Sequence, residues 1–266
     1  MSSIIEVAIP VPLQNTFAYL CNQKVIIGAR VKVPFGKKQV TAIMLSHKKK
    51  SDFDKLRSVE EILDQEVLLS KEILDFLFWS ANYYHHPLGE VLGNALPKNL
   101  RQGKPAVIKK ISTHKNTTSL STFDTTTEQN KAIKAVLKSE NNFHGFLLQG
   151  VTGSGKTEVY LSITETILKK GRQVLVLVPE IGLTPQMIAR FEEMIEAKVV
   201  SVHSQLNETQ KLDAYLMAKT GEAGVVLGTR SAIFTPMPNL GLVIVDEEHD
   251  GSFKQQSRFR YSAPVS

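Results

Sequence analysis

The chain has 266 residues, 42% of them hydrophobic, enough for about two domains with cores of their own, so wholesale disorder is excluded. No apolar run approaches the ~18–20 residues that span a bilayer, and the start of the chain has no basic segment leading into an apolar one; a cytoplasmic protein without membrane contact is the expectation. A single cysteine, Cys21, excludes an intrachain disulfide and a cysteine-rich zinc site, and the net charge of +6 is uneven: residues 1–115 hold 17 Lys and Arg against 10 Asp and Glu. That excess fits either a polyanion partner or a solvated basic surface.

Residues 4–13 and 29–45 alternate apolar and polar side chains around Pro34 and Gly36, as strands and a turn do. Residues 70–84 place Ile73, Leu74, Leu77 and Phe78 at helical spacing. From residue 112 to 127, 10 of 16 residues are Ser or Thr, the composition of a linker. It divides a small mixed β/α domain, residues 1–111, from a second domain, residues 128–266. There, Thr126 and Gln129 form a capping-box pattern ahead of Ile133, Val136 and Leu137. Residues 146–148 read as a short buried strand, and 157–170 as a helix stopped by Gly171. Strands are expected at 173–178, 199–202, 224–227 and 241–245, mostly with helices between, which predicts an α/β fold with a parallel sheet covered on both faces.

Between the expected strand at 146–148 and the helix that follows lies Gly150-Val151-Thr152-Gly153-Ser154-Gly155-Lys156-Thr157, a complete P-loop pattern. Its glycines let backbone N–H groups turn toward phosphates at the positive end of the following helix. Lys156 would reach the β- and γ-phosphates, and the Thr157 hydroxyl would ligate magnesium. The acidic half of such a site is Asp246-Glu247-Glu248-His249, at the end of the apolar run 243–245. Asp246 is placed to hold Mg2+ and Glu247 to orient and deprotonate the attacking water, while His249 fits a structural role as well as a functional one.

The acidic motif resembles motif II of superfamily 2 helicases. Residues 146–160, Val178-Pro179-Glu180-Ile181-Gly182-Leu183-Thr184-Pro185-Gln186 and Gly228-Thr229-Arg230-Ser231-Ala232-Ile233-Phe234 closely resemble the bacterial replication-restart (primosomal) helicases. Residues 31–38 and Trp79-Ser80-Ala81-Asn82-Tyr83-Tyr84-His85-His86-Pro87-Leu88-Gly89 resemble that family's 3′-end-binding domain. The resemblance implies a RecA-like helicase lobe behind a 3′-DNA-binding domain, ATP and Mg2+ as cofactors, and ATP-dependent 3′-to-5′ DNA unwinding at stalled or branched forks. It implies as partners forked and single-stranded DNA, a nascent 3′ end, other primosome proteins and single-strand-binding protein.

The same resemblance implies residue roles. Gln129 would read adenine, and Thr184, Thr229 and Arg230 would hold a single-strand backbone. Phe253, Phe259 and Tyr261, in an aromatic-rich loop among Lys254, Arg258 and Arg260, would meet unpaired bases. Phe17, Tyr19, Gly36 and Arg57 match positions around the terminal nucleotide of a nascent strand. The family's acidic residue between the two aromatics is Ala18 here, which cannot accept a hydrogen bond. A winged-helix domain, a second helicase lobe with its arginine finger and the zinc-binding cysteines have no counterpart in these 266 residues. The competing reading is therefore a module that binds DNA and ATP without unwinding.

Overall fold

The computed structural model describes residues 3–50, 55–108, 125–139, 142–151, 153–257 and 259–264. The expected linker falls outside the described residues as far as residue 124.

Five strands, β1 (Ser3–Ala8), β2 (Phe17–Cys21), β3 (Arg30–Phe35), β4 (Lys38–Lys48) and β5 (Glu61–Ile62), form an antiparallel sheet ordered β2-β1-β4-β3-β5. Alternation decides its faces. Ile5, Val7, Tyr19, Cys21, Val31, Val33, Ala42 and Met44 close a core of their own. Ala8, Ile43 and Leu45 point the other way, into a cluster with the helices that follow. Those helices are α1 (Lys71–Tyr83), α2 (Leu88–Ala95) and α3 (Lys98–Arg101), with the Ser70 hydroxyl capping α1.

The second part begins at α4 (Thr127–Lys138), whose Thr126–Gln129 capping box forms as the sequence predicts. Then come α5 (Lys156–Lys169), β6 (Gln173–Leu177), α6 (Pro185–Met194), β7 (Val199–Val202), α7 (Glu208–Thr220), β8 (Val225–Gly228) and β9 (Leu240–Val245). The four strands are parallel in the order β7-β8-β6-β9. Both faces are covered. Val174, Val176 and Val178 pack with α5 and α6 through Val159, Ile163, Ile167 and Phe191. Leu175 and Leu177 pack on the opposite face with Leu212, Tyr215 and Leu216 of α7.

One expected strand is not there. Residues 146–148 make no ladder, and Leu147 is 87% exposed. Three apolar residues between Gly145 and Gly150 hold an extended conformation only if a neighbouring strand pairs with them, and none of the described strands does.

The two parts share one core. The cluster on the α7 face of the parallel sheet continues into Leu74, Leu77, Val91, Leu92 and Leu100 of α1, α2 and α3. A buried ion pair anchors the junction from below. Arg30, 0% exposed, donates from Nε and Nη2 to the two carboxylate oxygens of Asp64, at 2.8 and 2.7 Å. Its Nη1 donates to the carbonyls of Leu100 (2.7 Å) and Lys104 (2.9 Å). The Asn99 amide then reaches the Glu208 carbonyl at the start of α7, at 3.1 Å. Replacing Arg30 with Met strands the Asp64 carboxylate away from water and opens two carbonyls. We expect Arg30→Met to cost about 3–5 kcal/mol in urea unfolding; a loss below about 1 kcal/mol would show that the pair is dispensable.

Candidate functional site

The loop ahead of α5 folds back on itself. Lys156 Nζ donates to the Gly150 carbonyl, at 3.0 Å, so its ammonium lies across the loop. Gly153 and Gly155 adopt φ of 79° and 80°, left-handed values that set the curve of the loop. Gly155 is further restricted, because a Cβ there would lie 2.2 Å from Gln129 Nε2. Val151 and Ser154 are exposed along the same loop, Thr157 is half-buried in the first turn of α5, and Thr152 lies outside the described residues. Gln129 straps the loop instead of standing free beside it. Its Oε1 accepts from the Thr126 N–H, and its Nε2 donates to the carbonyls of Ser154 and Gly155. Reading an adenine edge requires Gln129 to give up one of these bonds.

The acidic turn is brought to this loop by a residue that the sequence reading missed. Tyr160, one turn beyond Thr157 on α5, donates its hydroxyl to Asp246 Oδ1 at 3.2 Å. Thr157 and Tyr160, three apart, share a helix face, so the bond sets the Thr157 end of α5 against the end of β9. Burial, and then the negative charge of Asp246 and Glu247, push the Tyr160 phenol well above its ordinary range, so it remains a donor. The signal available in the sequence was Tyr160 on the apolar face of the helix, a pattern that core packing satisfies equally well. Asp246 is half-buried and its N–H continues the ladder to the Leu177 carbonyl at 2.9 Å. Glu247 is exposed with φ of 49°, an unfavourable value for a side chain of this size. It starts a tight turn closed by the Asp250 N–H on its carbonyl, and Glu248 and His249 point into solvent on that turn.

These groups fit a nucleotide with its metal. The oxygen donors Thr157 and Asp246 suit a hard divalent cation. Lys156 and the helix start suit phosphate. Among the described residues no cluster of three or more His, Cys, Asp or Glu forms a metal site without such a nucleotide.

A second feature lies far along the chain. Phe17, Tyr19 and Arg57 line a cavity of about 230 Å3, with Lys55 on its rim. Arg57 Nη1 donates to the Gly36 carbonyl at 3.0 Å, which gathers all four expected terminal-nucleotide residues. The Tyr19 hydroxyl donates to the Pro34 carbonyl, and burial raises its pKa while nearby Arg57 opposes the rise. Phe17 meets Phe35 edge to face. Ala18 stands opposite Glu6 on β1. Burial raises the Glu6 pKa, but hydrogen bonds from Lys48, Thr16 and Ser46 outweigh it and keep the carboxylate charged below its ordinary range.

The remaining expected DNA contacts are differently placed. Thr184 caps α6, accepting from the Met187 N–H, and Thr229 is buried at the end of β8. Arg230 donates to the carbonyls of Ser252 and Lys254, at 2.9 and 3.1 Å, and so holds the turn after the acidic motif. Phe253, Phe259 and Tyr261 are 1%, 1% and 7% exposed. The expectation of bases stacking on these three rings does not match their position. Phe259 and Tyr261 pack with Phe234, Tyr84 and His86 between the two parts of the chain, and the Tyr84 hydroxyl both donates to the Ser262 carbonyl and accepts from its N–H. A base could reach them only by opening that contact.

Comparison with known proteins finds two families along the chain. The family described as 3′ DNA-binding domain (3′BD), of the PriA type, matches residues 6–97, and the DEAD/DEAH box helicase family matches residues 126–262. The chain is similar to proteins named Replication restart protein PriA: 36% identical over 336 residues to that of Haemophilus influenzae, and 33% over 273 residues to that of Treponema pallidum. These alignments take in 98% and 99% of this chain but 46% and 41% of those proteins. The chain thus spans less than half the length of these relatives. The protein of the same name from Synechocystis is 55% identical over 130 residues, covering 49% of this chain and 16% of the relative.

The Tyr160 bond makes a prediction independent of turnover. Tyr160→Phe keeps the ring and removes only the hydroxyl that orients Asp246. We expect about tenfold weaker dependence of nucleotide binding on Mg2+, read by titrating Mg2+ against a fluorescent ATP analogue. Unchanged Mg2+ affinity would make the hydroxyl a packing feature alone.

Proposed function

We propose, from the premise that this chain belongs to the DEAD/DEAH box helicase family and carries a 3′ DNA-binding domain of the PriA type, that it recognises branched DNA by a 3′ end and binds Mg-ATP as the leading portion of a 3′-to-5′ replication-restart helicase. The observation that carries the reading is the Tyr160–Asp246 bond, which joins the phosphate loop to the acidic turn. In this reading residues 1–111 bind DNA, 112–127 connect, and 128–266 form the ATP-binding lobe. The terminal nucleotide enters the cavity of Phe17, Tyr19 and Arg57, with Gly36 held beside it by the Arg57 guanidinium. Residues 150–157 wrap the phosphates, Lys156 neutralises them, and Thr157 with Asp246 would hold magnesium, which supplies Lewis-acid polarisation of the γ-phosphate when bound. Glu247, exposed at the turn, takes the proton of the attacking water. Work at forks in the cytoplasm, with other primosome proteins and single-strand-binding protein as partners, completes the proposal.

Two observations favour a second reading for this arrangement of the chain. Gln129 is engaged by the loop it straps, and Phe253, Phe259 and Tyr261 are closed into the shared core. Both are the state of a module that binds DNA and nucleotide without coupling them.

The two binding devices are separate, and a pair of substitutions tests that. Lys156→Ala is expected to weaken ATP binding by roughly 10- to 100-fold while leaving fork affinity unchanged. Arg57→Ala is expected to do the reverse, and to erase any preference for a free 3′-hydroxyl over a 3′-phosphate on the nascent strand. Fluorescence anisotropy with the two forks, alongside nucleotide titration, reads both effects. Loss of DNA and ATP binding together in Lys156→Ala overturns the division of labour. Equal affinity of the unmodified chain for the two forks overturns the role given to the cavity.

A further inference from the structure

Beside the cavity of Phe17 and Arg57 lies a larger one, of about 430 Å3, between the segment that leads into β2 and the end of α1. Gln14, Thr16, Phe78, Asn82, His85 and His86 border it. Thr16 lines both cavities and is their common wall. Its hydroxyl is fixed, donating to Glu6 Oε1 at 2.6 Å, so the wall is a set feature and not a loose side chain.

The lining has the chemistry of a nucleotide site. Phe78 keeps a ring 38% exposed, a flat apolar face that accepts any base. The amides of Gln14 and Asn82 can donate to phosphate or base-edge oxygens, and the two histidines add ring N–H donors. No Asp or Glu borders the cavity. Glu90, at 3.1 Å from His86 Nδ1, orients that ring, and Glu6 stands behind the wall as the acceptor of the Thr16 hydroxyl.

The backbone supplies an independent sign. His85 has φ of 52°, one of two non-glycine residues at positive φ among the described residues, the other being Glu247 in the acidic turn. A β-carbon there is strained, and such strain persists where the surrounding structure enforces it. The turn it makes at the end of α1 brings His85 and His86 to the border of the cavity, beside Asn82.

We propose that this second cavity is a subsite for the penultimate nucleotide of the strand whose 3′ end occupies the first. The inference rests on the reading of the first cavity and adds to it a track two nucleotides long. A polymer of repeating base and phosphate fits two cavities with one shared wall. Phe78 stacks the penultimate base, and Asn82 with His85 holds the phosphodiester that crosses Thr16.

The test uses the full chain and a short single strand with a free 3′-hydroxyl, intact or with one abasic position, read by anisotropy. The unmodified chain is expected to bind about tenfold more weakly when the penultimate base is missing. Phe78→Ala is expected to bind the intact strand about tenfold more weakly and to ignore the penultimate abasic position, while still sensing loss of the terminal base. Phe17→Ala is expected to show the opposite pattern. His85→Asn, which tolerates the left-handed backbone, keeps the test valid if Phe78→Ala unfolds. It and a methylphosphonate at the last linkage should each weaken binding, with no further loss in combination. Indifference of the unmodified chain to the penultimate base, or full loss summed over His85→Asn and methylphosphonate, overturns the subsite and leaves the first cavity standing. Indifference to the terminal base overturns the first cavity, and the track with it.

Discussion

The Arg30 guanidinium holds the molecule at its junction. It is fully buried at the start of β3, and every one of its nitrogens has an acceptor: Asp64 for Nε and Nη2, the Leu100 and Lys104 carbonyls for Nη1. A buried cation is tolerable only with such complete pairing. The geometry that satisfies it also determines where α3 ends. From there Asn99 reaches the first residue of α7, and α7 lies on the parallel sheet. Tyr215 of α7, fully buried, sits close enough to feel the charges of both Arg30 and Asp64. The antiparallel sheet and the parallel sheet are thus linked through one charge and a short helix.

The consequence is a continuous apolar core where the composition suggests two independent ones. Leu77 and Leu100, from the first part, share a cluster with Leu175 and Leu216, from the second. Aromatic rings extend this contact: Phe76 meets Phe234, and Tyr84 and His86 meet Phe259. Arg230 grips the carbonyls of Ser252 and Lys254, so the turn after the acidic motif is held at one end by β8 and leads at the other into rings packed on α1. The two parts of the chain are therefore joined by packed side chains as well as by the Ser/Thr-rich stretch.

Gln129 and Tyr160 show how the P-loop is supported before any phosphate arrives. Gln129 bonds the carbonyls of Ser154 and Gly155, while Lys156 bonds that of Gly150. Each occupies an acceptor that bends the loop into a cradle. Phosphate oxygens offer the Lys156 ammonium a stronger, charge-assisted partner than a carbonyl does.

The sequence by itself determined what depends on neighbours a few residues apart. The Thr126–Gln129 capping box, the helix following Lys156, the stop at Gly171 and the runs that become β6, β7, β8 and β9 are all written in local spacing, and the structure has them within a residue or so. The phosphate-loop and acidic motifs were equally legible, since each is a short contiguous string. Tertiary structure decided the rest. Residues 146–148 have the composition of a strand, yet among the described residues no strand pairs with them. Phe253, Phe259 and Tyr261 have the composition of a stacking surface, yet they lie in a core, because aromatic rings suit bases and apolar neighbours alike and only the fold says which is present. Arg30 and Asp64 lie 34 residues apart, and Tyr160 and Asp246 lie 86 apart. Nothing in the local pattern of either residue names its partner. A hydrogen bond is selected by position within about 3 Å, and that position exists only once two distant segments have been packed together.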